Sequence, residues 1–300
     1  MYAGDKLGRS DLGELLTLPP CVLTGVPTGA SSGAMDDAMM IPFLKHLAAQ
    51  SAEVITPLFN NPALDVEWKE DKTPVTYADK KAEEVLRALI AKEFPDHGII
   101  GEEFPSVNPD APYTWVLDPI DGTRSFAAGS PHFGTLIALR QGDEPIWGAI
   151  NLPVQNELYL GNNTQAWMND RPVQVRETGD LRDCFLLTTD PKRPYLHHDR
   201  SGWDALLATT DQYRSWGDCF GYTLIARGGA DIMCDPAMSL WDQAALLPVI
   251  RGSGAALTDW QGNTPVNATS LVAAHPRHHA RIIALLNPAQ DGELATGYAI

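Results

Sequence analysis

An apolar run that ends in two carboxylates bracketing a proline leaves a chain few ways to fold. Residues Trp115-Val116-Leu117-Asp118-Pro119-Ile120-Asp121-Gly122-Thr123 form such a run. Its apolar start reads as a buried strand. Asp118 closes that strand, and Pro119 removes a backbone donor and bars a regular helical turn. Asp121 follows three residues on, then a glycine and a hydroxyl. A turn of this kind can aim Asp118 and Asp121 at one point while the Ile120 carbonyl faces the same way. Carboxylates, a backbone carbonyl and water are the ligands that Mg²⁺ takes. D-P-x-D-G is also ordinary turn chemistry, so the run alone does not establish a metal site.

Three further segments carry acids at comparable positions. Gly101-Glu102-Glu103 places acidic residues directly after a strand. Trp241-Asp242 sets an acid at the start of an apolar helix, and Thr73 to Asp79 puts Asp79 in the first turn of another. An acid near a helix start often serves only as a cap or dipole partner. Several acids gathered at strand ends, however, repel one another unless a cation neutralises them.

The rest of the chain is mixed α and β, with antiparallel strands rather than strict βαβ alternation. Residues 1–34, rich in Gly, Ser, Thr and Pro from Thr24 to Gly33, read as a flexible leader or extension. A helix is expected from Asp36 or Asp37 to about Phe59, with Pro42 in its first turn. A second runs from Tyr77 to Phe94, with Ala78, Ala82, Val85, Leu86, Leu89 and Ile90 on its buried stripe and Lys80, Lys81, Glu83 and Glu84 on its wet side. Strands follow at 98–101, 113–118, 133–140 and 146–152, with a hairpin at Gln141-Gly142-Asp143. Later strands are expected near residues 158, 186, 232, 255 and 271, and helices over 220–227, 240–250 and 276–286. Two halves result: residues 35–185 hold most of the acidic segments, and residues 186–300 complete the site.

Acidic residues outnumber basic ones by 38 to 22, a formal charge of −16. That balance argues against a nucleic-acid partner, whose phosphates need Lys and Arg. No apolar stretch reaches membrane-spanning length. Cys21, Cys184, Cys219 and Cys234 form no C-x-x-C pair, so a reducing cytoplasm is expected and the cysteines read as structural. His275-x-x-His278-His279 reads as a wet helix face and His197-His198 as a surface loop.

The three segments Gly101-Glu102-Glu103, Asp118 to Thr123 and Trp241-Asp242-x-Ala-Ala resemble the signature segments of the inositol monophosphatase superfamily. Their order and spacing match from about Asp36 to Leu286. The resemblance implies an α+β fold, a layered αβαβα sandwich, usually a homodimer, with up to three Mg²⁺ ions per site. It implies metal ligation by Glu102, Asp118, Asp121, Asp242 and the Ile120 carbonyl. Asp79 and Thr123 would orient the attacking water, completing a catalytic set with Glu102. The expected activity is hydrolysis of a small phosphorylated alcohol, with Gly122 and Thr123 opening a short helix toward the phosphate.

In the substrate half, Ser215 to Tyr222, Phe133 to Leu139 and Asp231 to Pro236 are similar to the histidinol-phosphate phosphatase branch. That substrate carries an ammonium and an imidazole, so Asp218 and Asp235 are candidate contacts for its cationic groups. Asp218 serving merely as a cap for the helix near Phe220 is the plain alternative. Inositol-1-phosphatase, or a broad sugar-phosphate phosphatase, is the alternative activity. A catalytically silent metal-binding protein on the same fold is a more remote one. No Lys/Arg cluster offers itself for a second phosphate.

Overall fold

The computed structural model describes residues 35–61, 66–68 and 74–288. The leader expected over residues 1–34, together with Cys21 and Thr73, lies outside them. The described chain opens with helix α1 (Asp37–Ile55), the ribbon β1 (Val66–Trp68) and β2 (Pro74–Thr76), and helix α2 (Tyr77–Glu93). Strands β3 (Gly98–Gly101) and β4 (Tyr113–Asp121) lead into the short helix α3 (Thr123–Ala127). Strands β5 (Gly134–Gln141), β6 (Glu144–Leu152), β7 (Glu157–Gly161), β8 (Ala166–Met168) and β9 (Arg171–Pro172) follow. The second half runs through β10 (Phe185–Leu187), α4 (Pro194–His197), α5 (Arg200–Thr209), β11 (Gln212–Arg214), α6 (Asp218–Ala226) and β12 (Ile232–Asp235). It ends with α7 (Leu240–Ala244), α8 (Leu246–Gly252), β13 (Ala256–Thr258), β14 (Leu271–Ala274) and α9 (Pro276–Leu286).

Strands β3 to β9 pair in sequence order in one seven-stranded sheet, parallel only between β3 and β4. The second sheet runs β11-β10-β12-β14-β13. Side-chain alternation along the strands determines what each face covers. On β4, Trp115 and Leu117 pack with Phe43, Leu44 and Leu86 of α1 and α2, whereas Val116 joins Tyr222, Leu246 and Val249 on the other side. On β12, Met233 faces that same middle helix layer, and Ile232 and Cys234 meet Trp203, Leu206 and Ile282 of the outer helices. The molecule is therefore an αβαβα sandwich, as expected, with one helix layer packed on both sheets.

Several local expectations need correction. Pro42 lies six residues into α1, not in its first turn; Ala38 and Pro42 are both exposed, so water can reach the carbonyl that lacks its donor. The helix expected over 240–250 is two, α7 and α8, because Pro248 cannot donate back to residue 244. His278 and His279 are buried rather than wet, and His279 Nε2 lies 3.2 Å from both Thr258 Oγ1 and the Val272 carbonyl. His198 is no free loop residue: it stacks on Trp260 at 4.3 Å and bonds the Pro236 carbonyl. Among the described residues, no helix is long and apolar enough to cross a membrane.

The middle layer approaches the large sheet closely because the sheet offers glycines there. A Cβ on Gly148 would meet the Ala245 carbonyl oxygen at 2.1 Å, and one on Gly161 would meet Val249 Cα at 2.4 Å. Gly148→Ala should thus push α7 and α8 outward, costing about 1–3 kcal/mol of stability and lowering activity through displacement of Asp242. Urea unfolding with parallel phosphate-release assays checks this; an unchanged midpoint would show that the approach tolerates a methyl group.

Candidate metal centre and substrate cleft

The cleft forms where β4 stops being a regular strand. Asp118 pairs with Leu136 and Asp121 with Gly134, so three steps on β4 oppose two on β5. Such a bulge re-aims side chains. The Pro119 carbonyl, lost to the ladder, accepts from the Thr135 hydroxyl at 2.8 Å, and Ser51 Oγ lies 2.9 Å behind. The Ile120 carbonyl accepts from the Thr123 hydroxyl at 3.0 Å. Gly122 then turns the chain into α3 with φ +83°, where an added Cβ would also crowd the His132 carbonyl oxygen at 2.9 Å and Asp218 Oδ2 at 3.1 Å. Only glycine meets both demands.

Ligand atoms of Asp118, Asp121 and Asp242 all lie within 4.8 Å of one another. Each is held by a different local device. Asp118 lies within the buried part of β4, which continues to Ile120, and is 2% exposed. Asp121 Oδ2 accepts the Cys219 N–H at 2.5 Å, an unpaired donor at the start of α6. Asp242 closes a capping box with Ser239, its Oδ2 accepting the Ser239 N–H at 2.8 Å. Glu102 stands outside this tight trio but lines the same cleft, and its N–H bonds the Leu117 carbonyl beside Asp118. Asp79 is 1% exposed in the first turn of α2.

The donor set fits a cation. Asp118 Oδ1 is buried with no hydrogen-bond partner, a costly state for a carboxylate unless something positive sits there. Burial pushes the Asp118 carboxyl well above the usual range, and Glu102, Asp121, Asp242 and Asp79 add to the push. Burial does the same to Asp121, reinforced by Asp218 and Asp242, while its hydrogen bonds to Cys219 act the other way.

The cleft holds about 420 Å³, and beyond the acids it is walled by Gly122, Thr123, Arg124, Thr189, Arg193 and Asp218. Asp218 sits at φ +50°, its N–H donating to Thr189 Oγ1 at 2.8 Å, so its side chain caps no helix. Asp235 is not a wall residue: it is 4% exposed and accepts the Thr189 N–H at 3.1 Å from behind. Its expected direct contact with substrate is corrected to support of Thr189, and through Thr189 of Asp218. Thr189, Asp190 and Arg193 escaped the sequence reading. Their signal was Thr189-Asp190-Pro191 after a strand, which repeats the D-P exit of Asp118-Pro119.

Burial, then Asp235 and Asp242, raise the Asp218 carboxyl to about 7. Above its ordinary 3.8 and below that value, the folded chain holds a proton that the unfolded chain has released. Stability from this group therefore grows as pH falls through 7, by at most about 1.4 kcal/mol per pH unit. In EDTA, the stability difference between the native protein and Asp218→Asn should shift in favour of the native chain from about pH 8 to 5.5. Urea unfolding reads this directly. The contrast with the variant cancels His198 and His279, which burial pushes the opposite way. A flat difference would show that Asp218 is solvated.

These features agree with the comparisons to known proteins. The model of the inositol monophosphatase family matches residues 36–291. A protein of Chlorobaculum parvum named histidinol-phosphatase is 36% identical over 245 residues, covering 80% of this chain and 94% of that one. An inositol-1-monophosphatase of Rhizobium meliloti is 30% identical over 218 residues, 71% of this chain and 82% of its own. The solved structure of an inositol monophosphatase from Zymomonas mobilis superposes with a TM-score of 0.72 at 33% identity, covering 82% of this chain and 96% of that one. With the layered fold, the bulged Asp118–Asp121 turn and the acid trio in their expected order, the chain belongs to the inositol monophosphatase family and is a phosphatase acting on phosphate monoesters.

Proposed function

We propose that the enzyme hydrolyses L-histidinol phosphate to L-histidinol and phosphate with Mg²⁺ as its cation. The observation that carries this reading is Asp218, whose carboxylate approaches Gly122 in the wall of the cleft that the metal acids share. A carboxylate there suits an ammonium or imidazolium. The resemblance of the Chlorobaculum parvum histidinol-phosphatase supports it. The family resemblance extends the proposal to a homodimer, and the lack of a C-x-x-C pair in the sequence extends it to a reducing cytoplasm.

Asp118, Asp121, Asp242 and Glu102, with the Ile120 carbonyl, would hold the cation. When bound, Mg²⁺ supplies a water of lowered pKa and offsets charge on the phosphoryl oxygens. The chain does the rest. Arg124 and Arg193 at the wall offer a phosphate positive charge. The Thr123 hydroxyl and the Asp79 carboxylate are assigned to orienting the attacking water. Asp218 holds the cationic end of the alcohol, and Asp235 steadies Asp218 through Thr189.

Inositol 1-phosphate is the second reading, favoured by the relative from Rhizobium meliloti. Phosphate release from both esters, with Mg²⁺ and with EDTA, decides between them. The expected result is an EDTA-sensitive preference for histidinol phosphate. Asp218→Asn should lower kcat/KM for that ester at least about tenfold, the scale of one lost charged contact, with little change for inositol phosphate. Equal loss on both esters would remove Asp218 as a selector. Preference for inositol phosphate would overturn the substrate and keep the metal chemistry.

A further inference from the structure

Helix α2 carries a buried carboxylate that the reaction itself does not use. Glu83 is fully buried, one turn beyond Asp79 on the same face of the helix. Its Oε2 accepts the Glu103 N–H at 2.8 Å, and its Oε1 accepts the Phe104 N–H at 3.3 Å. Arg87, a further turn along, donates Nε to Glu83 Oε1 at 2.7 Å. The same guanidinium bonds the Phe104 and Pro105 carbonyls at 2.9 and 3.1 Å, and it lies over the Phe104 ring. Two residues of one helix thus satisfy both the donors and the acceptors of the segment that follows Glu102.

The fit is close enough to dictate the preceding residue. A Cβ on Gly101 would fall 2.0 Å from Glu83 Oε1 and 2.5 Å from its Cδ, so the carboxylate occupies the space that a side chain there would need. On the other flank, the Glu102 N–H is tied to the Leu117 carbonyl at 3.2 Å, next to Asp118. The backbone of Glu102 is therefore pinned from both sides: by β4 through its own amide and by α2 through the next two.

We infer that Glu83, backed by Arg87, is a positioning residue that sets Glu102 toward the metal acids and ties it to the helix that carries Asp79. The inference rests on the reading of Glu102 as a metal ligand. It goes beyond that reading by assigning a function to a pair that lies outside the acid trio and the lining of the cleft. A carboxylate is required for it. In an amide, one of the two oxygens becomes an NH₂, which would face the amide hydrogen or the guanidinium that Glu83 now accepts from.

The test is direct Mg²⁺ binding to the full-length, metal-stripped protein by titration calorimetry, alongside thermal melting and phosphate release as a function of Mg²⁺. Glu83→Gln should weaken Mg²⁺ binding about 10- to 100-fold, the usual cost of removing a partner that orients a ligand. Phosphate release should recover as Mg²⁺ is raised. Leu86→Ala, a core truncation on the same helix, should lower the melting temperature without changing the Mg²⁺ affinity. Arg87→Gln, at the more exposed end of the pair, should weaken binding in the same direction and serves if Glu83→Gln does not fold. Glu102→Gln tests the underlying reading. Weakened binding in Glu102→Gln with native affinity in Glu83→Gln and Arg87→Gln would overturn this inference alone. Unaltered binding in Glu102→Gln would overturn the ligand reading and the inference with it.

Discussion

Three carboxylates whose ligand atoms lie within 4.8 Å of each other repel, and the structure around them is organised to hold them there regardless. No single element could do it. Asp118 comes from a strand end, Asp121 from the far side of a bulge, and Asp242 from a capping box on α7. The opposition is electrostatic and local; the restraint is spread over two sheets and the helices between them. Packing density sets the precision. Glycines at 148 and 161 let the middle layer rest directly on strand backbone, so Asp242 is referenced to the sheet that carries Asp118.

The wall of the cleft follows the same logic at lower charge. Asp218 is held in a left-handed conformation that a non-glycine residue adopts with reluctance. What holds it is the Thr189 hydroxyl on its amide, with Asp235 on the amide of Thr189. A buried carboxylate thus shapes the pocket without entering it. Neighbouring Gly217 shows how little room remains, since a Cβ there would fall 2.0 Å from Thr189 Cα.

What the sequence made legible was what repeats at short range. The 3.6-residue stripe of α2, the continuous apolar run of β4 and the hairpin at Gly142 could be read without any tertiary knowledge. The acids of the trio were readable because each sits beside an abrupt change of local chemistry: a proline, a glycine, a helix start. Relations across the fold were not. Nothing in the local pattern says that Asp235 stands behind Thr189, or that His278 and His279 turn inward beneath β14. Glu83 looked like part of the wet side of α2, because an i,i+4 pair with Arg87 also suits a solvated face, and its other partners are the backbone amides of Glu103 and Phe104, which leave no mark in a sequence. Ser239-x-x-Asp242 did carry a capping-box pattern, legible in principle through its spacing alone.

The long reach of the acid trio also orders events during synthesis. Asp118 and Asp121 leave the ribosome together, within a meander of neighbouring antiparallel strands. Their third companion belongs to α7, which follows the parallel strands β10 and β12 and the helices between them. Until that stretch has emerged and docked, the nascent chain holds Asp118 and Asp121 beside the earlier Asp79 and Glu102 and lacks the third acid of the trio. Loop closure over such a distance is slow compared with formation of a local hairpin. The trio of acids is in consequence complete only once α7 has docked, late in the assembly of the fold.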